Sequence, residues 1–264
     1  MTEAFSPPFD VRLMNATAGA LFILFGALAL AALAAWAANH ALFAIRGVTV
    51  TGDVTHNNAV TLRANAVPKL SGSFLTLDLA GAKQAFEAVP WVRQAVVRRE
   101  FPNRLRVVLQ EHQAVAYWGA DGDARLLNSF GEVFEANAGE VEHEYLPRLS
   151  GPQGQEPQVL SMYRALQPLF EPMDLSLDQL DLTGRGSWVA RLDTGAVIEL
   201  GRGNDAEILA RTTRFLKTLT QVTSRYSRKP DAVETADLRH PDGYALRLRG
   251  VSTVAGDGSK KQAQ

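Results

Sequence analysis

The longest uninterrupted apolar stretch of the chain runs from Ala16 to Ala38 and contains no charged side chain. At helical rise, its roughly 23 residues are long enough to cross a hydrocarbon core of about 30 Å. Leucine, phenylalanine and alanine occupy every face, whereas a buried helix of a globular protein normally keeps a polar stripe. The pattern therefore predicts a single transmembrane helix over residues 16–38, preceded by a short leader, residues 1–15.

A cleaved signal peptide is the main alternative to a retained anchor, because Ala35, Trp36 and Ala37 form a small-x-small cleavage sequence. The apolar run, however, exceeds the roughly 7–15 residues of a signal peptide core, and the leader has no basic region. These two features favour the anchor. Arg12 on one side of the span is balanced by Arg46 on the other, so charge does not set the orientation.

Residues 43–112 alternate between strand-like and helix-like patterns in the order strand, helix, helix, strand, strand. Asn57 or Asn58 can cap the first helix and Asp78 the second. A turn at residues 102–104 separates the last two strands as a hairpin. The predicted elements are a strand over residues 44–53, helices over residues 58–66 and 79–89, and strands over residues 91–101 and 105–111.

Five arginines lie on the predicted hairpin, and they admit two interpretations. One is a docking surface, and the other is the solvated outer face of a small sheet. The second is preferred, because antiparallel sheets often leave one face in water. These arginines are Arg93, Arg98, Arg99, Arg104 and Arg106.

Residues 113–250 follow without a low-complexity linker and predict a second domain of mixed helices and strands. Residues 146–152 are predicted to form a loop, and Asp205 is predicted to cap the second of two helices. The apolar residues of both helices recur at helical spacing, which indicates core packing rather than a cofactor site. The predicted helices cover residues 158–170 and 206–221, and the predicted strands cover residues 115–118, 126–128, 133–134, 177–182, 188–192, 196–200 and 244–249.

The last of these strands has one apolar and one polar face. Tyr244, Leu246 and Leu248 alternate with Ala245, Arg247 and Arg249. A terminal strand without a following neighbour is a candidate sheet edge with unpaired N–H and C=O groups. Two interpretations stand at this point: the arginines blunt the edge, or a partner strand adds to it through main-chain hydrogen bonds.

Composition excludes several classes of function. The net charge is −1, and the acidic and basic residues are interspersed, which argues against nucleic-acid binding. The chain has no cysteine, and so it has no disulfide framework, cysteine-ligated zinc or thiol nucleophile. The tail, residues 251–264, has too little apolar content to order itself and is predicted to be disordered.

No motif in the sequence predicts catalysis. The five histidines are scattered, and none has a second histidine at metal-ligand spacing. His143 between two glutamates is interpreted as part of a solvated loop. The pair Gly201 and Gly203 lacks the further residues of a phosphate-binding loop, and no nucleophile elbow is present. We therefore predict no catalytic residue, metal site, cofactor or small-molecule substrate.

Several sequence motifs, taken together, resemble the FtsQ/DivIB family of bacterial cell-division proteins over residues 40–250. In the first domain, the sequences at residues 89–92 and 99–105 resemble those that open and turn the hairpin of a POTRA domain. In the second domain, the matching motifs lie in the order and spacing of the family's β-domain. They are residues 183–188, 200–203, 209–211, 214–215 and 236–239.

The resemblance implies an α+β fold, with a single transmembrane helix, a POTRA-like β-α-α-β-β domain over residues 43–112, and a mixed α/β domain with a largely antiparallel sheet over residues 113–250. It places the leader in the cytoplasm and both domains in the periplasm, at the division septum. It also implies that the last strand and its preceding turn bind the periplasmic end of FtsB, which carries FtsL. The implied surface is His240, Asp242, Gly243, Tyr244 and Leu246, with Arg185 as a pairing charge.

Three hypotheses for the function follow. The first is a non-enzymatic bitopic scaffold of the inner membrane that links early and late division proteins, with other division proteins as possible ligands of the POTRA-like domain. The second is a POTRA-bearing transport or outer-membrane assembly component, which is disfavoured because the chain is too short to close a barrel. The third is a membrane-anchored cell-wall enzyme, which is disfavoured because no catalytic constellation is recognisable.

Overall fold

The structure, a computed structural model, describes residues 8–38, 40, 43–120, 122–123, 125–141 and 145–251. The chain divides into two compact units, Met1–Glu111 and His112–Gln264. Each unit has its own β-sheet, and both combine helices with strands. The predicted α+β fold class is therefore confirmed. His143 and most of the predicted tail, residues 252–264, lie outside the described residues.

The predicted apolar span lies within one continuous helix, α1 (Phe9–Ala38). Its stretch Phe9–Trp36 is long and apolar enough to cross a membrane and is not buried by any other part of the chain that the structure describes. The helix begins at Phe9 rather than at Ala16, so part of the predicted leader is helical. The charges of Asp10 and Arg12 mark the end of the apolar run, but a charge in the first turn does not stop a helix.

The first unit contains a three-stranded sheet covered by two short helices. Its elements are β1 (Gly47–Gly52), α2 (Ala59–Asn65), a 3-10 turn (Val67–Lys69), α3 (Leu79–Glu87), β2 (Val92–Glu100) and β3 (Arg104–Glu111). The strand order is β1-β3-β2, with β1 parallel and β2 antiparallel to β3. Asn58 and Asp78 cap the two helices through their side-chain oxygens, as predicted. The predicted β-α-α-β-β order is therefore confirmed.

The core of this unit lies between the sheet and the two helices. Phe86 of α3 is fully buried against Val107 and Leu109 of β3, with Leu62 of α2 beside them. The opposite face of the sheet is exposed, and Arg98 lies opposite Arg106 on it. The hairpin arginines therefore lie largely on an outer face, as the preferred interpretation expects.

Arg99 is an exception among these arginines. Its Nε donates to the carbonyl oxygen of Phe74 at 2.6 Å, and its Nη2 donates to that of Leu77 at 2.7 Å. Because these two bonds hold the loop before α3 against the sheet, Arg99 has a structural role in this unit.

The second unit is built on one nine-stranded sheet with two helices, α4 (Glu156–Phe170) and α5 (Asp205–Ser224). The strand order is β12-β11-β10-β9-β8-β7-β4-β5-β6, and antiparallel pairs outnumber parallel ones. The strands are β4 (Ala114–Trp118), β5 (Arg125–Asn128), β6 (Val133–Glu135), β7 (Arg148–Ser150), β8 (Leu177–Leu182), β9 (Trp188–Leu192), β10 (Val197–Gly201), β11 (Val233–Asp237) and β12 (Ala245–Leu248).

Both helices contribute to a single core that also contains the inward-facing side chains of the sheet. Val159, Leu166 and Phe170 of α4 are fully buried, which confirms the predicted core stripe of that helix. From α5, Ile208 and Phe215 are buried in the same cluster.

Two strands of this sheet differ from the sequence prediction. The predicted loop over residues 146–152 is wrong for Arg148–Ser150, because β7 pairs in parallel with both β4 and β8. Leu149, which is fully buried, is the only large apolar residue of this short strand, and flanking prolines and glycines gave it a loop-like sequence. The strand β11 was not predicted at all, although its Val233 and Ala236 are buried in the core.

The start of α5 also differs from the prediction. The cap is Asn204 rather than Asp205, which is the first helical residue. The side chain of Asn204 accepts a hydrogen bond from the N–H of Glu207 at 2.9 Å, and the Glu207 carboxylate accepts one from the N–H of Asn204 at 3.0 Å. This reciprocal capping box satisfies two donors, which a cap one residue later does not.

Candidate partner-binding site

The terminal strand β12 is one of the two edges of the nine-stranded sheet. Among the described strands it pairs only with β11, with Leu246 opposite Ala236 and Arg247 opposite Thr235. The N–H of Arg249 donates to the carbonyl of Ala232 beyond the end of β11. Because N–H direction alternates along a strand, the N–H groups of Leu246 and Leu248 point to the open side. The site therefore offers unpaired backbone donors along one side of β12.

The turn before β12 is exposed, and it is held in place from α5. His240, Asp242 and Gly243 all lie on the surface. Nη1 of Arg214 donates a hydrogen bond to the carbonyl oxygen of Pro241 at 3.2 Å. The turn is thus fixed against the helix, while three of the predicted site residues remain accessible to another protein.

Tyr244 is placed differently, since its side chain points toward the core. Its hydroxyl lies 2.8 Å from Oγ1 of Thr218, and its ring meets that of Phe215 edge to face, with centroids 5.0 Å apart. Leu246 lies two residues further along the strand, on the same inward face, and also packs against the core. These two predicted site residues therefore offer backbone groups at the edge, and their side chains hold the strand to the helix.

A groove of about 620 Å³ lies on the same unit and is lined by four arginines. Arg185 follows β8, Arg202 follows β10, Arg211 belongs to α5 and Arg239 follows β11. The other lining residues are Thr183, Ser187, Val189 and Glu199. The groove carries an excess of positive charge, because Glu199 is the only acidic residue among those that line it in the described structure.

Two of these arginines are fixed within the unit. Arg211 donates to the carbonyl oxygens of Leu200 and Arg202, the second at 3.2 Å. Arg239 makes a bidentate pair with Asp237, with Nε to Oδ1 at 2.9 Å and Nη2 to Oδ2 at 2.7 Å. The hydrogen bonds from Arg239 lower the pKa of Asp237 from its ordinary value of 3.8 to about 2.

Arg185 and Arg202 are exposed, and their side chains make no hydrogen bond or ion pair with any residue in the described part of the chain. Two guanidinium groups are therefore available to an anion in a groove whose other two arginines are fixed. A carboxylate is a fitting ligand, because a guanidinium can bind it through two parallel hydrogen bonds.

The groove lies on the same sheet as the open edge, with β11 between β10 and β12. A second concavity, of about 320 Å³, is lined by Ala245, Leu246 and Arg247 of β12, and Glu199 lines both hollows. Arg239, which also lines the groove, directly precedes the turn before β12, so Arg185 lies in a groove that reaches this turn although the two are distant in sequence. Sequence reasoning did not assign roles to Arg202, Arg211 and Arg239, even though all three fall in the motifs that carried the family resemblance.

Among the residues that the structure describes, no three histidine, aspartate or glutamate side chains converge as a metal site. The arrangement instead supports binding, with backbone donors along an edge and positive charge beside them.

Two family models match the chain. The model of the POTRA domain, FtsQ-type, matches residues 43–112, and that of cell division protein FtsQ/DivIB, C-terminal, matches residues 116–239. The second match ends at Arg239, immediately before the turn that leads into β12.

Curated relatives extend the similarity over most of the chain. A protein named cell division protein FtsQ from Thiomonas arsenitoxydans is 42% identical over 246 residues, which cover 92% of this chain and 89% of the relative. Its namesakes from Burkholderia pseudomallei and Bordetella pertussis are 38% and 36% identical, covering 92% and 90% of this chain and 94% and 92% of their own lengths. By both comparisons, the chain belongs to the FtsQ/DivIB family of cell division proteins.

Proposed function

We propose that this cell division protein is a bitopic inner-membrane scaffold that binds FtsB- and FtsL-type partners by strand addition at β12. In this proposal α1 is the single span, the N-terminus is cytoplasmic, and both folded units are periplasmic. By binding these partners at the septum, the protein links early and late division proteins. The observation that carries the proposal is the unpaired edge of β12, with two N–H groups on its open side.

The charged side chains beside the edge favour pairing with a partner strand over protection of the edge against pairing. Proteins protect exposed edges with charged side chains that block another strand from pairing there. Here Nε of Arg247 lies 3.1 Å from the Glu234 carboxylate of the neighbouring strand. Arg249 donates to the carbonyl oxygen of Thr194 in the turn between β9 and β10. Both arginines are thus drawn back onto their own sheet, which leaves the main-chain groups of β12 accessible.

The arginine groove supplies the second part of the proposed interface. A partner strand that pairs with β12 brings its flanking residues to the turn before β12, which follows Arg239 of the groove. Arg185 and Arg202 of the groove are unpaired within the described structure. We propose that an acidic residue of the FtsB-type partner pairs with Arg185. Main-chain pairing then provides affinity with little sequence preference, and this charge pair helps to select the partner.

A proline substitution distinguishes the role of β12 in binding a partner from its role in the fold. Leu246→Pro removes an N–H that faces the open side, and proline is tolerated at such positions of edge strands. Leu246→Ala removes the same side chain and keeps the N–H, so it is the matched control. The full-length protein in detergent micelles would be titrated against the cognate FtsB- and FtsL-type proteins by biolayer interferometry.

We expect Leu246→Pro to weaken binding about 10- to 100-fold relative to Leu246→Ala, which corresponds to the loss of one backbone hydrogen bond and the clash with the partner strand. Arg185→Glu is expected to weaken binding, and a partner with lysine in place of the paired acidic residue should restore it. Equal affinities of the proline and alanine variants, with both folded, would contradict strand addition at β12.

A further inference from the structure

The first unit also has an open strand edge, at β1, which among the described strands pairs only with β3. The N–H of Asp53, just after the strand, donates to the carbonyl oxygen of Leu109 of β3 at 3.0 Å. By alternation along the strand, Thr49 and Thr51 face β3 in the same way, and the N–H groups of Val48, Val50 and Gly52 point to the open side. The edge therefore presents three backbone donors in a row.

A groove of about 500 Å³ runs beside this edge, between β1 and α2. Most of its lining is apolar, and it includes the partly buried Val48 and Val50 of β1, Leu62 of α2 and the fully buried Phe86 at the base. Val67, which also lines the groove, remains more than one-third exposed. Apolar side chains on one face of an added strand would fill this groove, while the backbone of that strand pairs with β1.

Charge at the groove indicates the chemistry of its ligand. Arg46 and Arg63 both line it, and both are exposed. The side chains of both arginines lack a hydrogen-bond or ion-pair partner among the residues that the structure describes. No acidic residue is among the lining residues in the described structure. The groove therefore combines an apolar floor with an uncompensated positive rim, which complements an apolar segment that carries carboxylates.

We infer that the β1 edge is a second docking site, which accepts an extended segment of another membrane-anchored protein, with alternating apolar residues and acidic residues at one end. The strand begins about nine residues after α1 ends, which keeps it within roughly 30 Å of that end of the helix. A segment close to the membrane in the partner can therefore reach it. The chain's own tail is a poor occupant, because Lys260 and Lys261 outweigh Asp257.

The test uses two synthetic peptides as probes of the full-length protein in detergent micelles. Both are ten-residue peptides in which valine alternates with threonine, one ending in two glutamates and the other in two lysines, and fluorescence anisotropy measures binding. Val50→Pro removes an outward N–H, whereas Val50→Ala removes the same side chain and keeps the N–H, so it is the matched control. Amide exchange over residues 92–111 reports whether the sheet of each variant is intact.

The expected result is saturable binding of the acidic peptide, weakened at least tenfold by Val50→Pro relative to Val50→Ala. The double variant Arg46→Glu, Arg63→Glu should reverse the preference in favour of the lysine peptide. Leu246→Pro should leave peptide binding unchanged, because β12 belongs to the other unit, and this separates failure here from failure of the β12 proposal.

Three outcomes would overturn the inference. The first is equal binding of the acidic peptide by the intact Val50→Pro and Val50→Ala proteins. The second is the absence of saturable binding or of any preference between the two peptides. The third is self-association of the full-length protein that Val50→Pro abolishes, because the edge would then serve a second copy of this chain.

Discussion

The buried carboxylate of Glu111 joins the end of β3 to the segment between β1 and α2. Its removal is a stringent test of how the first unit is held together. Glu111, the last residue of β3, has a side chain that is only 5% exposed. Its Oε1 accepts hydrogen bonds from the N–H and the side-chain amide of Asn57, both at 2.9 Å. Its Oε2 accepts from the N–H of His56 at 2.9 Å and lies 3.2 Å from Nδ1 of that histidine.

The magnitude follows from what Glu111→Gln does to these four contacts. Glutamine has nearly the same shape, but one of its two terminal atoms becomes an NH₂ group that faces the backbone N–H of His56 or of Asn57, so at least one of the four contacts is lost and a buried donor is left unpaired. A buried donor left without an acceptor costs about 1–3 kcal/mol, and the remaining bonds lose the strengthening that a charged acceptor gives. We therefore expect Glu111→Gln to lower the free energy of unfolding of this unit by about 2–4 kcal/mol.

Native-state hydrogen exchange on the full-length protein measures this effect with an internal control. A loss of 2–4 kcal/mol raises exchange about 30-fold to about 900-fold at amides of residues 43–111 that exchange through unfolding of the unit. Amides of residues 145–251 should not change, because they belong to the other unit. Glu100→Gln is the matched variant, because its ion pair with Arg106 is largely exposed and its loss should cost less than about 1 kcal/mol.

The pH dependence gives this prediction a second readout. Burial raises the pKa of Glu111, but the hydrogen bonds from His56 and Asn57 outweigh burial and leave the pKa below its ordinary value of 4.5. A lowered folded-state pKa stabilises the fold above about pH 5, and this contribution is lost as the pH falls through the folded-state pKa. The wild-type advantage over Glu111→Gln should therefore shrink on acidification. Equal exchange of the two proteins at pH 7 would refute the role assigned to this carboxylate.

Two further predictions concern the arginine groove of the second unit. NMR titration of the Asp237 carboxyl should give a pKa of about 2, and Arg239→Ala should return it toward 3.8, because the hydrogen bonds from Arg239 cause the shift. Gly201→Ala should weaken binding of the FtsB- and FtsL-type partners, measured by interferometry, because Gly201 has a φ of 82° and an added Cβ would lie 2.9 Å from both Nη1 of Arg211 and Cγ of Arg239. Unchanged partner affinity of a folded Gly201→Ala protein would contradict a role for the groove in binding.

The elements that the sequence predicted well are those whose signals are local. Asn58 and Asp78 cap α2 and α3, and each is a polar residue directly before an apolar helical pattern. In contrast, β7 is only three residues long, and its identity as a strand comes from parallel pairing with β4 and β8, which are distant in sequence. Long-range pairing of this kind leaves little trace in a short sequence window.

The candidate site was predictable only in part for a similar reason. The alternation of residues 244–249 predicted a strand with an inward face that includes Tyr244 and Leu246, and their side chains do pack inward. Whether that strand is an edge depends on the order of nine strands, which the residues of β12 do not encode. The arginine groove collects side chains from four separate segments, so its existence follows from the fold rather than from any one motif.

The inward direction of the Tyr244 and Leu246 side chains affects which groups can select a partner in the proposed strand addition at β12. Backbone hydrogen bonds discriminate poorly between sequences, so an added strand must be selected by side chains around it. Tyr244 contacts Phe215 and Thr218, and Leu246 packs into the core, so neither side chain is available to contact a partner. Under the proposed function, selection then comes from the exposed turn and from unpaired charge in the groove, above all Arg185. Substitution of Tyr244 should accordingly alter binding through the position of β12, whereas substitution of Arg185 should alter the choice of partner.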